Sequence, residues 1–346
     1  MKGKKKTYAQ VAFLLALIVG TVLIVKQQRD TPYQKDEGFI FGTVYHVTYQ
    51  YDKDLNNEII AELNKVDCEF SMFNKKSTVA AFNNGKKVEA SDMFMNVLTL
   101  SQDVSKDTNG AFDITVAPLV NAWGFGFKHQ KMPDQQQIDS LRKLVGMQYI
   151  NVEKLNGKTY LSKKLKNMML DFSAVAKGFG SDAVATVMRR HDIKNYMVEI
   201  GGEVVTSGLS EKRLPWKIGV TQPSDDSLNT NQELQTVLNI TDKAMATSGN
   251  YRNFYYKNGK KYAHEIDPKT GRPVQHSLLS STVLANRCAE ADAYATAFMV
   301  LGIEKSQVVL KRHPELMAYF IYVGKDGKNK VWYTPALQKK IENIII

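Results

Sequence analysis

Apolar and polar residues alternate along residues 39–51, and apolar residues then recur at helical spacing along residues 55–70. Alternation with a period of two predicts a strand, and spacing of three to four predicts an amphipathic helix. The same criteria predict further helices at residues 91–106, which Ser91 would cap, 173–190, 289–300 and 304–311. Strands are predicted on both sides of Gly201-Gly202. Because strands and helices alternate irregularly, the pattern favours an α+β fold over a doubly wound sheet.

The first thirty residues have a different pattern. Four lysines precede the uncharged run of residues 11–25, and polar residues follow it. This order is typical of an export signal, and we find no small-residue cleavage site after it. It predicts an uncleaved membrane anchor at residues 1–29, with the basic end in the cytoplasm, a polar linker at 30–37 and one domain at 38–346. Cleaved secretion is the alternative.

Composition excludes some classes of protein. With 43% hydrophobic and 23% charged residues in 346, the chain is globular. The net charge of +11 invites a nucleic-acid interpretation, but four of those charges lie within the first six residues and no basic stripe interleaved with aromatics follows. We therefore expect no nucleic-acid partner. Cys68 and Cys288 could form a disulfide or remain buried free thiols, and the sequence leaves both open.

The run at residues 289–300 carries one carboxylate and one hydroxyl on an otherwise apolar helix. Asp292 and Thr296 are four residues apart, so their side chains share one face about a turn apart. Both oxygens are hard ligands of the kind that Mg²⁺ prefers. The pair therefore predicts half of a magnesium site, unless Asp292 only caps locally and Thr296 bonds back along its own helix.

Residues 171–178 predict a strand that ends in Asp171, followed by a helix with Ser173 as its N-cap. Free N–H groups at the helix start, together with Lys177, form a candidate phosphate site. The alternative is a simple cap and a solvated lysine. Residues 264–273 place His264 before a turn rich in Asp, Pro and Gly, where the imidazole could accept a proton or contact phosphate, or be purely structural.

Taken in order, these segments resemble the ApbE family of FAD:protein FMN transferases, over residues from about 38 to about 335. The segments that carry the resemblance are Phe41-Gly42-Thr43, Ser71, Asn83, Gly110-Ala111-Phe112-Asp113, residues 171–178, Glu199-Ile200-Gly201-Gly202, Ala246-Thr247-Ser248-Gly249, residues 264–271 and residues 292–296. The resemblance implies an ApbE-like, T-fold-like α+β body with mixed and antiparallel sheets, and it implies that Mg²⁺ and FAD are bound.

The resemblance also implies site residues. Asp292, Thr296 and the main-chain carbonyl of Ala174 would hold the metal, with a further contact near Ala289. FAD would be contacted by Phe41, Phe73, Ala111, Phe112, Asp113, Asp171, Lys177 and His264. Two positions depart from the usual family pattern: Phe41 replaces a common methionine, and Glu265 stands where a smaller or apolar residue is frequent.

The reaction implied by the resemblance is attack of an acceptor Ser or Thr hydroxyl on the FMN phosphorus of FAD, with release of AMP. Catalysis would depend on Asp292 through the metal and on His264 as the base or a phosphate contact. The acceptors would be proteins of membrane redox complexes that carry D-x-x-[ST]-G-A-[ST], and the catalytic domain would lie in the periplasm of a bacterium, anchored to the inner membrane. The chain's own Asp267-Pro268-Lys269-Thr270-Gly271 is followed by Arg272-Pro273, so self-modification is not expected. A Mg²⁺-dependent FAD pyrophosphatase and a non-catalytic FAD-binding protein are the alternatives.

Overall fold

The computed structural model describes residues 2–126, 132–224, 233–251, 253–257 and 259–344. Residue 1 of the predicted anchor and residues 345 and 346 of the predicted domain therefore lie outside the described residues. The helices of the described chain are α1 Lys2–Asp30, α2 Asn56–Phe70, α3 Thr78–Asn83, α4 Asp92–Asp107, α5 Ala117–Ala122, α6 Gln135–Arg142, α7 Ala176–Arg190 and α8 Cys288–Arg312, with short 3₁₀ turns at Met147–Tyr149 and Pro335–Lys340.

The strands are shorter and more numerous than the helices. In chain order they are β1 Tyr33–Ile40, β2 Thr43–Gln50, β3 Val88–Glu89, β4 Ile150–Leu155, β5 Lys158–Lys163, β6 Tyr196–Ile200, β7 Glu203–Ser207, β8 Trp216–Thr221, β9 Leu234–Ile240, β10 Lys243–Gly249, β11 Phe254–Lys257, β12 Lys260–Ala263, β13 Ile266–Asp267, β14 Arg272–Pro273, β15 Leu278–Ala285, β16 Met317–Val323, β17 Asn329–Tyr333 and β18 Ile341–Ile344.

Eight strands form the central sheet, in the order β1-β2-β6-β7-β10-β15-β16-β17. Each neighbouring pair is antiparallel. The α+β fold expected from irregular alternation is therefore confirmed, and the strand pair predicted around Gly201-Gly202 is the β6–β7 hairpin.

Helices cover one face of this sheet, and a second sheet of order β18-β9-β8 covers the other. Because successive side chains of a strand point to opposite faces, Ala246 on β10 joins the helix-side core while Met245 joins the core beneath the small sheet. Both faces are buried, so β15 is apolar or small at almost every position.

Several predicted helices are confirmed. The periodic stretch at residues 55–70 is α2, and Ser91 caps α4 by accepting a hydrogen bond from the Phe94 N–H. Residues 289–300 and 304–311 are consecutive halves of α8, which is interrupted at Gly302, where φ is +74°. Glycine tolerates this left-handed conformation, which an L side chain rarely adopts.

The expected linker at residues 30–37 is wrong in part. Tyr33 begins β1, which pairs with β2 from Tyr33↔Gln50 to Ile40↔Thr43. Polar residues are compatible with a strand here because β1 is an edge strand with one face in solvent. Only Thr31 and Pro32 separate α1 from the sheet.

The N-terminal helix contains one segment, Tyr8–Lys26, that is long and apolar enough to cross a membrane by length and composition. None of this segment is buried against the rest of the protein. Cys68 is exposed and Cys288 is buried, and both are free thiols, so the disulfide alternative is not present in the structure.

Candidate active site

A cleft of about 350 Å³ opens where α7 and α8 meet the end of β10 and the segment between β12 and β13. It is lined by ten of the twelve residues that the sequence singled out. These are Phe73, Ala111, Phe112, Asp113, Asp171, Ala174, Lys177, His264, Asp292 and Thr296. Segments that are far apart in sequence therefore converge on one site.

The other two candidates lie outside the lining of the cleft. Phe41 adopts a positive φ of 51° in the β1–β2 turn and packs over Gly180 of α7, where an added Cβ would come within 2.7 Å of its ring. Ala289 is buried in the core, and its N–H donates to the Asp182 carboxylate at 2.9 Å. Flavin contact by Phe41 and metal contact near Ala289 stay predictions.

Two aspartates, the buried Asp292 and the half-buried Asp182, join α7 and α8 near their starts. Asp292 on α8 accepts a hydrogen bond from the Gly178 N–H in the first turn of α7, at 3.0 Å. In return, Asp182 on α7 accepts from the Cys288 and Ala289 N–H groups at the start of α8, at 2.8 and 2.9 Å. Each carboxylate thus satisfies free N–H groups of the other helix, where the helix dipole favours negative charge.

This contact requires Gly178. An added Cβ there would lie 2.5 Å from the Cys288 carbonyl oxygen and 2.8 Å from the Asp292 Cβ. The glycine therefore permits the close approach that fixes the Asp292 carboxylate at the cleft.

The prediction that Ser173 caps α7 is wrong. The helix begins at Ala176, and its N-cap residue is Val175, which makes no side-chain cap. The Ser173 N–H instead donates to the Asp171 carboxylate at 2.8 Å, which forms a tight turn before the helix. The Gly178 N–H at the helix start, which the sequence suggested for phosphate, is taken by Asp292.

The oxygens at this end of the cleft suit Mg²⁺. Thr296 shares a hydrogen bond with the Ser248 hydroxyl of β10 at 3.1 Å, which fixes its Oγ1. Gly178 engages Oδ2 of Asp292, while Oδ1 has no hydrogen-bond partner among the described residues. Carboxylate, hydroxyl and the Ala174 carbonyl are hard donors of the type this ion prefers. The residues present therefore fit the ion that the sequence suggested.

Two further charges surround Asp292. Lys177 Nζ forms an ion pair with Glu203 Oε1 at 2.5 Å, and the Glu203 side chain is 2% exposed. Its second oxygen, Oε2, is buried without a hydrogen-bond partner within the described chain. Burial, followed by the negative charge of Glu203, raises the pKa of Asp292 to about 7. When both are ionised, the carboxylates of Asp292 and Glu203 outweigh the single positive charge of Lys177, and this excess of negative charge favours a divalent cation.

Two more carboxylates form the wall beside this end. The prediction that a strand ends in Asp171 is wrong, since the described residues between β5 and α7 form no strand. The Asp171 N–H donates to the Ile114 carbonyl at 2.7 Å, which ties this irregular segment to residues 111–116. Asp113 accepts from the Thr115 N–H and hydroxyl, at 2.8 and 2.6 Å. Burial raises the pKa of both aspartates, while the hydrogen bonds from Ser173 to Asp171 and from Thr115 to Asp113 act in the opposite direction.

His264 lies between β12 and β13 and also lines the cleft. Its side chain is 40% exposed, and its Nδ1 is 3.3 Å from the Asn253 carbonyl and 3.4 Å from Glu265 Oε2. The Asn253 carbonyl also accepts from the His264 N–H at 3.1 Å. The Phe125 ring meets the imidazole edge-on, with centroids 6.4 Å apart. An imidazole held through Nδ1 can present Nε2 to a substrate.

The sequence analysis gave no functional role to four polar residues that line the cleft: Glu203, Ser248, Asn253 and Glu265. Glu203 directly follows the Gly201-Gly202 turn, and Ser248 stands in a segment already noted, so a carboxylate and a hydroxyl in those motifs were available signals. Nothing local to Asn253 indicates that its carbonyl would meet His264.

The chain is similar to known proteins over most of its length. The family model described as "ApbE family" matches residues 41–320. An FAD:protein FMN transferase of Escherichia coli (strain K12) is 34% identical over 309 residues, covering 86% of each chain. One of Haemophilus influenzae is 37% identical over 313 residues, covering 87% of this chain and 89% of the relative.

Solved structures give the same result. The flavin transferase ApbE from Vibrio cholerae matches with a TM-score of 0.79 at 32% identity, covering 89% of this chain and all of that one. The Pseudomonas stutzeri flavinyl transferase ApbE in its apo form matches with the same TM-score at 29% identity. The fold and most of the chain are therefore shared with these proteins.

Proposed function

Since the chain belongs to the ApbE family, we propose that it is an FAD:protein FMN transferase, which moves the FMN part of FAD onto a Ser or Thr hydroxyl of an acceptor protein. The observation that carries the proposal is that Asp292, Thr296, Ala174, Lys177 and His264, which come from distant segments of the chain, all line one cleft. The acceptor would carry D-x-x-[ST]-G-A-[ST].

The reaction is a phosphoryl transfer. The acceptor oxygen forms a bond to the FMN phosphorus, and the bond from that phosphorus to the bridging oxygen of the diphosphate breaks. AMP leaves with the bridging oxygen. The proton of the acceptor hydroxyl passes to Nε2 of His264, which is the base in this proposal.

The chain's own residues position the reactants. Asp292, Thr296 and the Ala174 carbonyl would hold Mg²⁺, which when bound supplies Lewis-acid neutralisation of the diphosphate charge. Lys177 adds a positive charge on the same side of the cleft, buttressed by Glu203. The exposed ring of Phe73 and the buried 111–113 segment provide apolar surface for a flavin.

The proposed location is the periplasmic side of a bacterial inner membrane. It is supported by the apolar Tyr8–Lys26 segment and by the lysines before it, which favour a cytoplasmic N-terminus. Acceptors would then be proteins of membrane redox complexes exposed on the same side.

One experiment tests the reaction against its two alternatives. The full-length protein in detergent is incubated with FAD, Mg²⁺ and a protein bearing the acceptor motif, and flavin fluorescence in a denaturing gel and AMP are measured. Fluorescent acceptor with AMP is the expected result. AMP without labelled acceptor would establish a pyrophosphatase, and FAD binding with neither product would establish a binding protein.

A further inference from the structure

Glu265 is a buried carboxylate in the cleft, and the proposed reaction assigns it no role. The residue is 5% exposed and lines the cleft beside His264. Neither carboxylate oxygen has a hydrogen-bond partner among the residues that the structure describes. Burying a charge without such partners is costly, so a residue of this kind at a functional site calls for an explanation.

The contact between Glu265 and His264 explains why a carboxylate is buried at this position. Oε2 lies 3.4 Å from Nδ1 of the imidazole, and the Asn253 carbonyl lies 3.3 Å from the same nitrogen. A carbonyl and an ionised carboxylate can only accept hydrogen bonds. Nδ1 must therefore carry the proton in the neutral ring, which leaves the lone pair on Nε2.

The neighbouring groups do not offer Glu265 a better partner. His276 is the other histidine close enough to feel its charge, but both nitrogens of that ring are engaged: Nε2 with the Met299 carbonyl at 2.7 Å, and Nδ1 with the Leu278 N–H at 3.3 Å. Asp171 also lines the cleft and is close enough to His264 to interact with it electrostatically. Phe125 contributes only an apolar ring edge.

We propose that Glu265 is a positioning residue for His264, and this inference rests on the proposed transferase function. The carboxylate holds the Nδ1–H tautomer and stabilises the imidazolium that forms when Nε2 takes the proton of the acceptor hydroxyl. Glu265 takes no proton in this step and only accepts a hydrogen bond, as an orienting carboxylate does in a catalytic triad. The long distances shorten when substrate closes the site, as is common for catalytic hydrogen bonds.

Kinetics and stability together test this role. In the full-length protein, Glu265→Gln and Glu265→Val should lower kcat about 10- to 100-fold, because a residue that orients the base accounts for part of the rate enhancement that the base provides. The KM for FAD should stay within about twofold, since Glu265 is not assigned to FAD binding. Glu265→Val should also melt at a higher temperature than the wild type, because it removes a buried charge without hydrogen bonds. A misfit residue with no role would show the higher melting temperature with an unchanged kcat.

A matched control is Glu58→Gln. Glu58 also contacts a histidine, His191 Nε2 at 2.9 Å, but on the outer surface of α2 and α7. Its removal should leave kcat unchanged.

A second measurement does not depend on turnover. With ¹⁵N-labelled histidine, NMR should find His264 with a protonated Nδ1 in the wild type and as mixed tautomers in Glu265→Gln, with the signals assigned by their loss in His264→Gln. A Glu265→Gln variant that keeps the wild-type kcat, or a His264 that keeps a fully protonated Nδ1 in that variant, would overturn the role. Failure of the wild type to label an acceptor would instead refute the transferase function, and the tautomer would still decide on Glu265.

Discussion

The two ends of the cleft are built differently. At the metal end, formed by Asp292, Thr296, Lys177 and Glu203, the side chains extend from α7, α8 and β7, and Asp292 is 3% exposed with a partner at 3.0 Å. At the histidine end, formed by His264, Glu265 and Asn253, a 40% exposed ring between short strands has contacts of 3.3 and 3.4 Å. The metal end is therefore organised before substrate arrives, and the histidine end is left to tighten around it.

The largest effect should come from the metal end. Asp292→Asn keeps an oxygen that can accept from Gly178 but removes the charge, so the fold should persist while metal-dependent turnover falls about 10³-fold, since several kcal/mol of charge stabilisation are lost. AMP release at saturating FAD and increasing Mg²⁺ measures this. Asp326→Asn, in the exposed β16–β17 turn, is the control. Turnover within a few-fold of the wild type would remove Asp292 from the mechanism.

A pH dependence should distinguish the buried helix starts from the exposed histidine end. Burial raises the pKa of Asp182 to about 6, above the ordinary value of 3.8. An acid whose pKa is higher in the folded state binds more protons there than when unfolded, so its contribution to stability rises as pH falls between about 6 and 4. Two pKa units correspond to about 3 kcal/mol.

The measurement is urea unfolding of wild type and Asp182→Asn in the presence of a chelator, from pH 7 to pH 4. The stability of the wild type relative to the variant should increase as the pH is lowered, and the difference cancels the titration of other groups. Asp292, whose pKa is raised as well, is present in both proteins and cancels in this difference; its effect should appear instead as a weaker pH dependence of the wild type's own stability when Mg²⁺ replaces the chelator and holds that carboxylate ionised. A difference that is flat with pH would mean that burial of Asp182 has no such effect.

The contrast also explains what the sequence could predict. Asp292 and Thr296 share a helix face because i and i+4 positions always do, so half of the proposed metal site follows from local geometry. The two halves of α8, the Ser91 cap and the β6–β7 hairpin follow from similarly short-range patterns.

What escaped prediction depends on chain reversals and on contacts between distant segments. The partner of Lys177 is Glu203, twenty-six positions away on another element, and the partner of Gly178 is Asp292, one hundred and fourteen positions away. Ser173 does not cap α7 because the helix begins three residues later, at Ala176, after a turn in which the Ser173 N–H donates to Asp171. The polar residues 33–37 gave no sign of the edge strand, since every residue of β1 is at least partly exposed and none has to be apolar.

A test of the histidine end is His264→Gln. Removing the base should lower kcat about 10²-fold, near the lower end for acid–base catalysis, because a partly exposed ring can be replaced in part by water. Mg²⁺ affinity should be unchanged, which separates this end from the metal end. Flavin fluorescence on the acceptor gives the rate, and calorimetric titration gives the affinity. If kcat and Mg²⁺ affinity fell by the same factor, the metal end and the histidine end would be acting as one unit.

The smallest effect should come from a residue that supports the metal end without being proposed to bind the ion. Ser248→Ala removes the hydroxyl that holds the Thr296 side chain at 3.1 Å. Groups that orient a ligand commonly account for about a tenfold change in metal affinity, so the Mg²⁺ concentration for half-maximal AMP release should rise about tenfold while kcat at saturating Mg²⁺ is kept. Thr247→Ser is the matched control, since it keeps the hydroxyl bonded to Thr282 next to this position. Ser248 also lines the cleft, so its hydroxyl could contact the nucleotide instead. A rise in the KM for FAD without a change in Mg²⁺ dependence would support that contact and would show that Thr296 does not depend on Ser248 for its orientation.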